Sequence, residues 1–292
     1  MGIDIHSFQY LLYADEMGVD FERLAVLGRQ TRMFDYEQAS SLKRERDALG
    51  WIDRRKLDSC SYMDPLWELL GSRKIDNFDY SNFEDANVVH DLNKPIDDMY
   101  KKKYSLVLDG GTLEHVFNFP VAVKSALEMV AVGGHFISIA PTNNWSDHGF
   151  YQFSPEIYLH LLSEKNGFEE PVMLIREDST FGTKWKRIVI REYVEYPSSI
   201  TSSNPILLYV CARKISEVDI LEQEPSQFIY KAKWDYDGQS KQVDPISGYF
   251  LSIGVKLYNY LSKSKKLYVY SLYKKYVKRV IWNKKIFAKH QF

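Results

Sequence analysis

The chain has 292 residues, of which 45% are hydrophobic and 26% charged, with a formal net charge of −1. That length buries one substantial core, or a core with an appended piece, and the composition matches an ordinary soluble globular protein. The near-neutral total hides an asymmetry: residues 245 to 292 carry 11 Lys and Arg and no acid, so the first 244 residues hold 27 basic and 39 acidic groups, a net of −12. An acidic body with a basic tail places the main boundary near residue 245 and argues against nucleic acid as a partner of the body. Cys60 and Cys211 have neither metal spacing nor a disulfide framework, which points to a reducing compartment. The N-terminus has no basic region followed by an apolar core, His6 stands where a myristoylation pattern wants Ser or Thr, and no run reaches the roughly 18 apolar residues of a membrane span. A cytoplasmic protein is expected.

Residues 6–17 suit a short helix stopped by Gly18, and Arg23 to Gly28 reads as a first strand opening into Arg29, Gln30, Thr31 and Arg32. A long crossover follows, with charge-rich runs at 43–47 and 53–56. It also holds a helix beginning Asp64-Pro65, with Asp64 as N-cap and Gly71 past its end. Lys74 to Ser81 is the second strand. An acid at its end can accept both hydroxyls of a ribose, and Asp79 is preferred to Asp76 for that place. Ala86 to Asn93 gives a third strand ending in Asp91.

Ser105 to Leu108 suits a buried parallel strand that ends in Asp109, Gly110 and Gly111. Ligands of open α/β sheets sit past such strand ends, and the glycines let a ligand approach the backbone. Glu114 and His115 follow, so one turn carries three titratable groups. Pro120 opens an amphipathic helix (Phe119, Ala122, Val123, Ala126, Leu127, Val130), Gly133-Gly134 is expected to stop it, and His135 to Ala140 is a strand closed by Pro141. The stretch is a βαβ crossover. The aromatic loop from 141 to 155 should hang over the cleft, where Asn143, Asn144, Tyr151 and Gln152 would orient a hydroxylated substrate. His148 is the first candidate for a general base and His115 its competitor, because imidazole titrates near neutrality. Ser154 caps the next helix, 172–176 and 206–212 are the last two strands, and 181–203 reads as a polar excursion between them. Residues 216–245 read as a linker or wrapping arm, and 246–292 as a basic, tyrosine-rich helical tail. An appendage docked on the body or on a second subunit, a peripheral contact with the inner face of the membrane and, last, nucleic-acid binding are the competing readings of that tail, the last disfavoured by the acidic body and the lack of an RNA module.

Asp109-Gly-Gly-Thr-Leu-Glu-His115, Gly133-Gly-His-Phe-Ile-Ser-Ile-Ala-Pro141, Phe153-Ser-Pro and Asn166-Gly-Phe168 together resemble the second half of a class I S-adenosylmethionine-dependent methyltransferase. The resemblance spans about residues 20 to 215. It implies an α/β, Rossmann-like methyltransferase core over residues 1–215: a mostly parallel seven-stranded sheet flanked by helices, an insertion at about 31–60, and a C-terminal helical extension. It also implies S-adenosylmethionine as cofactor. The turn of Gly28, Arg29 and Gln30 would cradle the methionine end, although the family's turn usually carries two or three glycines and only Gly28 is present here. Asp79 and Tyr80 would hold the ribose, Asp91 and the Leu92 amide the adenine, and Asp109, Gly110 and Gly111 would complete the site. The reaction implied is methyl transfer; the Asn, His, Tyr and Gln content of the loop from 141 to 155 points to an oxygen of a small polar or sugar-like molecule, or of a glycan, as acceptor. A methyltransferase-like partner module that has lost cofactor binding is the alternative. No Gly-x-Gly-x-x-Gly, phosphate loop or Gly-x-Ser-x-Gly elbow is present, and no His-Glu-x-x-His or paired Cys-x-x-Cys suggests a metal.

Overall fold

The computed structural model describes residues 2–42, 53–179, 182–190 and 202–227, and the backbone of 287–289. The chain divides into two units, Met1–Ile188 with Asn204–Pro225 and Lys289–Phe292 in one, Val189–Ser203 with Ser226–Ala288 in the other. The charge-rich run at 43–47 and the basic tail lie outside the described residues, the backbone of 287–289 excepted.

The first unit is built on strands β2 (Arg23–Leu27), β4 (Lys74–Asp79), β5 (Val88–Val89), β6 (Tyr104–Asp109), β7 (Val130–Asn143), β8 (Val172–Ser179), β9 (Gly182–Ile188) and β10 (Ile206–Arg213). Their order across the sheet is β9-β8-β10-β7-β6-β2-β4-β5. The run from β7 to β5 is parallel, and β10 is antiparallel to both of its neighbours. Strand order reverses at β2, with β4 and β5 on one side and β6 and β7 on the other. This is a Rossmann-like sheet, to which β9 adds a strand beyond β8. A separate pair joins β1 (Gly2–Ile3) to β3 (Thr31–Arg32).

Six helices among the described residues flank the strands: α1 (Ile5–Glu16), α2 (Tyr36–Ser41), α3 (Arg54–Asp58), α4 (Asp64–Leu69), α5 (Phe119–Met129) and α6 (Pro155–Leu161). Helix α1 starts where the Asp4 carboxylate accepts the Ser7 amide at 2.7 Å, and ends at Gly18, whose φ of +89° a side chain would resist. Its buried face of Phe8, Tyr10, Leu11, Leu12 and Ala14 joins Trp67, Leu24, Val26, Leu106, Leu108, Ile137 and Tyr209 in one core. Arg176 in β8 locks the helix to the sheet: its guanidinium donates to Asp4 at 2.6 and 2.8 Å and to the Tyr209 hydroxyl at 2.7 Å.

Several expectations are corrected. The strand ending at Asp91 is two residues long, because Asp91 has already left the sheet for a turn with Asn93. Helix α4 begins at Asp64 with no side-chain cap. Gly133 and Gly134 do not stop α5; the chain turns at Val130 straight into β7, which carries both glycines and runs past Pro141 to Asn143. There Gly134 is packed against the carbonyls of Tyr104 and Ser105, with no room for a Cβ. The polar excursion at 181–203 opens with β9, antiparallel to β8, in which Trp185 stacks towards Tyr10 and Tyr209 while the lysines alternate along the strand. At the start of the segment read as a linker, Ile220 is buried and the Leu221 amide donates to the Asn166 side chain at 2.8 Å. No helix among the described residues is long and apolar enough to cross a membrane.

Candidate functional site

Register brings the sequence candidates to one edge of the sheet. Leu27 pairs with Asp109 on one side and Phe78 on the other, and Asp79 pairs with Val89. Gly28, Asp79 and Gly110 therefore leave adjacent strands at the carboxyl edge, beside the point where strand order reverses. Gly28 has a φ of +67°, and its amide donates to the Phe78 carbonyl at 2.7 Å, which closes the turn over β4. The Arg29 amide reaches Asp79 Oδ2 at 3.4 Å. The Arg29 guanidinium lies over the Tyr62 ring at 4.0 Å and donates to the Glu84 carbonyl at 2.7 Å, with Asp64 at 3.4 Å. It clamps the start of α4 to the loop after β4, forming a wall rather than a free cation. Gln30 is buried, and its amide nitrogen donates to the carbonyls of Leu27 (3.1 Å) and Gly28 (2.9 Å). A Cβ on Gly110 would come within 2.7 Å of Gln30 Oε1, so Gly110 is a glycine because this amide packs against it.

Asp79 is half-buried at the mouth, and Tyr80 beside it is exposed. Asp76, the second choice for the ribose acid, lies inside and accepts the Tyr104 hydroxyl at 2.7 Å. Asp91 accepts the amide and side chain of Asn93 at 3.0 and 2.9 Å, bonds that hold its carboxyl below the ordinary range; the Leu92 side chain is buried. Asp109 is placed differently from the expectation for a ligand-facing acid. It is fully buried, and its carboxylate accepts the amides of Thr112 (2.9 Å) and Leu113 (3.1 Å) and the Ser138 hydroxyl (2.7 Å). Burial still pushes its pKa up against those donors. Its side chain builds the turn from 112 to 115, and the backbone of Gly110 and Gly111 is what this strand end offers a ligand.

That turn carries the second half of the site. Glu114 is 1% exposed. Burial, reinforced by the charge of Asp109, raises its pKa to about 8. Glu114 Oε1 lies 3.6 Å from His148 Nε2, and Oε2 has no hydrogen-bond partner. His115 and His148 meet ring edge to face with centroids 4.9 Å apart, and burial followed by the charge of His148 lowers the pKa of His115. The loop after β7 is fastened over this turn: the amides of Phe150 and Tyr151 donate to the Glu114 carbonyl at 2.8 and 3.2 Å. Gly149, at φ +73°, would place a Cβ 2.9 Å from the same carbonyl oxygen, so glycine is required for the approach. Two residues beyond each imidazole, exposed Phe117 and Phe150 form a second edge-to-face pair with centroids 5.9 Å apart.

Three of the four polar residues expected to orient a substrate are instead hydrogen-bonded to other parts of the protein. Asn144 donates to the Asn204 carbonyl at 2.8 Å, Tyr151 to the Phe117 carbonyl at 2.7 Å, and Gln152 accepts the Trp145 amide at 2.9 Å. Asn143 ends β7, opposite Ile206. The structure thus brings His115 and His148 together and adds Glu114 and Trp145 (5.2 Å from the His148 ring) to the group. The adjacent Glu114-His115 pair was the available signal, but nothing in the sequence says that the carboxylate points inward.

No family model matches the chain, and no curated protein matches it either. Among solved structures it is similar to a SAM-dependent methyltransferase from Archaeoglobus fulgidus (13% identity over 72% of this chain and 94% of that one, TM-score 0.41). It is similar also to 1,6-didemethyltoxoflavin-N1-methyltransferase from Burkholderia thailandensis, crystallised with its substrate and S-adenosylhomocysteine (13%, 73% and 78%, TM-score 0.38). A third is a SAM-dependent methyltransferase from Methanosarcina mazei (11%, 70% and 99%, TM-score 0.37). At these scores the fold rests on the strand order described above.

Proposed function

We propose that the protein transfers a methyl group from S-adenosylmethionine to an oxygen of a small hydroxylated acceptor. The observation that carries this reading is the common carboxyl edge of β2, β4 and β6, where Gly28, Asp79 and Gly110-Gly111 leave the sheet side by side at the reversal of strand order. Open α/β sheets hold nucleotide-like ligands at that place. The residues there fit the cofactor at its ribose end. Asp79 is half-buried, and its 3.4 Å bond to the Arg29 amide is long, which leaves lone pairs for a diol. Gly111, at φ +91°, presents backbone without a Cβ. Asp91 and Leu92 would hold the adenine. When bound, the cofactor supplies a methyl group on a sulfonium, open to direct displacement.

The remaining work belongs to this chain. The histidine pair stands over the turn that follows Gly111, so an acceptor hydroxyl held there would meet an imidazole able to take its proton. Glu114, 3.6 Å from His148, orients that ring. Holding nucleophile and methyl donor in line is the larger share of the catalysis. For the acceptor, the pair of exposed phenylalanines beside the imidazoles suits a flat apolar body bearing the hydroxyl. The sugar-like alternative loses support because Asn144, Tyr151 and Gln152 are engaged in hydrogen bonds within the protein. The test is release of S-adenosylhomocysteine across a panel of hydroxylated aromatic and sugar acceptors. With a productive acceptor, His148→Ala should lower kcat by about 100- to 10,000-fold while leaving cofactor affinity intact; unchanged turnover would remove His148 from the chemistry.

A further inference from the structure

The Glu114 carboxylate is 1% exposed, yet Oε2 has no hydrogen-bond partner, and the carboxylate meets its own backbone N–H and the His148 ring, 3.6 Å from Oε1. Buried carboxylates are ordinarily paired or fully hydrogen-bonded, as Asp109 next to it is. Among the described residues no lysine or arginine lies within ion-pair distance of Glu114, although two acids are buried together here. Both histidines are exposed at the mouth above this carboxylate, and one ligand atom from each of Glu114, His115 and His148 falls within 4.8 Å of the others.

We infer that Glu114, His115 and His148 form a binding site for a divalent first-row cation of the zinc class. One carboxylate and two imidazoles are a donor set such ions take, with a further position open to water or substrate. Bonds of about 2.1 Å in a tetrahedral arrangement put ligand atoms about 3.4 Å apart. The Glu114 to His148 separation of 3.6 Å already nearly meets that, and the exposed His115 ring closes the rest, from within 4.8 Å, by a movement of about 1.4 Å at most. The support around the ligands is in place. Gly111 lets the carboxylate lie 3.2 Å from where a Cβ would stand, and Gly149 lets the His148 loop close on the Glu114 carbonyl. Trp145, held by its indole N–H to the Ile206 carbonyl at 3.2 Å, backs the His148 ring. The cation offsets the buried negative charge, and its open position faces the side on which an acceptor oxygen would bind. That last use, and only that, rests on the methyl-transfer reading; with the ion bound both imidazoles are ligands and no longer the base, and the ion would lower the pKa of the bound hydroxyl, whose proton passes to water.

The test is titration of chelator-treated full-length protein with Co²⁺ alone, followed by competition with Zn²⁺. The expected result is one equivalent of Co²⁺ giving visible d–d absorption that Zn²⁺ abolishes. Glu114→Gln keeps the shape of the side chain and should weaken Co²⁺ by more than the about 10- to 100-fold that loss of a supporting partner costs. His115→Asn, at an exposed position, should do the same with an unchanged urea midpoint. Absence of d–d absorption, or equal affinity in both variants, overturns the site. S-adenosylhomocysteine binding, measured on the same samples, reads the methyl-transfer proposal separately, so that either can fail without the other.

Discussion

Gly110→Ala isolates one contact on which the turn after β2 depends. Gly110 is not among the glycines with positive φ, so alanine suits its backbone and the effect is steric. The new Cβ would stand 2.7 Å from Gln30 Oε1 and 2.8 Å from Cδ, against ordinary contacts of 3.4 Å and more. The amide must move by about 0.7 Å, but its nitrogen is tied to two carbonyls at 2.9 and 3.1 Å. Overpacking of this kind costs about 1–3 kcal/mol, and loosening the two hydrogen bonds adds up to about 1 kcal/mol each. A total near 3 kcal/mol is expected, or a fall in Tm of about 6–12 °C. Removing the amide with Gln30→Ala makes room for the Cβ, so Gly110→Ala in that background should cost under about 1 kcal/mol, a coupling near 2 kcal/mol. Urea denaturation of the four proteins of the cycle, with m unchanged, measures this. Costs additive within about 0.5 kcal/mol would show that the two residues do not touch.

Other outcomes follow from neighbouring contacts. Ser138→Ala removes a donor from the buried Asp109 carboxylate and should destabilise the protein by about 1–3 kcal/mol in urea titrations at pH 7; no change would mean that the carboxyl is protonated. Burial raises the pKa of Asp4, but the Arg176 guanidinium and the Ser7 amide outweigh it and leave the carboxyl below its ordinary value. The folded pKa is the lower one, so this pairing contributes above the unfolded pKa and fades as pH falls through the folded value; Asp4→Asn should flatten the acid limb of the stability curve, and an unaltered limb would refute it. Cys211 is buried with its thiol pushed up to about 12, while Cys60 is partly exposed. Iodoacetamide at pH 8 should therefore label Cys60 in the native protein and both thiols only after unfolding, as read by mass spectrometry.

What could be read from residues alone divides along a physical line. The parallel strands β2 and β6, helix α5 and the Ser154 cap were legible because local pattern decides them: apolar runs ending in glycine, a 3.6-residue period, a hydroxyl before proline. Asp79 was separable from Asp76 by its place at the strand end. Which way an acid points was not legible. Asp109 turns inward because β7 places Ser138 opposite it, 29 residues away in sequence. Glu114 is enclosed by the loop that carries Gly149 and Phe150. Strand β9 was hidden by its lysines, which read as a polar loop, although the alternation around Trp185 was there to be read. The polar side chains of the loop after β7 looked like substrate ligands. A loop that long needs hydrogen bonds to hold it: Asn144 and Tyr151 tie it to the carbonyls of Asn204 and Phe117, and Gln152 closes it on the Trp145 amide.

Isothermal calorimetry of S-adenosylhomocysteine against the wild-type protein and Asp79→Ala addresses the crevice most directly. Saturable binding at one site per chain, weakened by about 1–3 kcal/mol in Asp79→Ala, is the predicted result, since the substitution leaves a ribose diol without its acceptor. Heats no larger than dilution from S-adenosylhomocysteine and S-adenosylmethionine alike would contradict it and leave a methyltransferase-like module without cofactor.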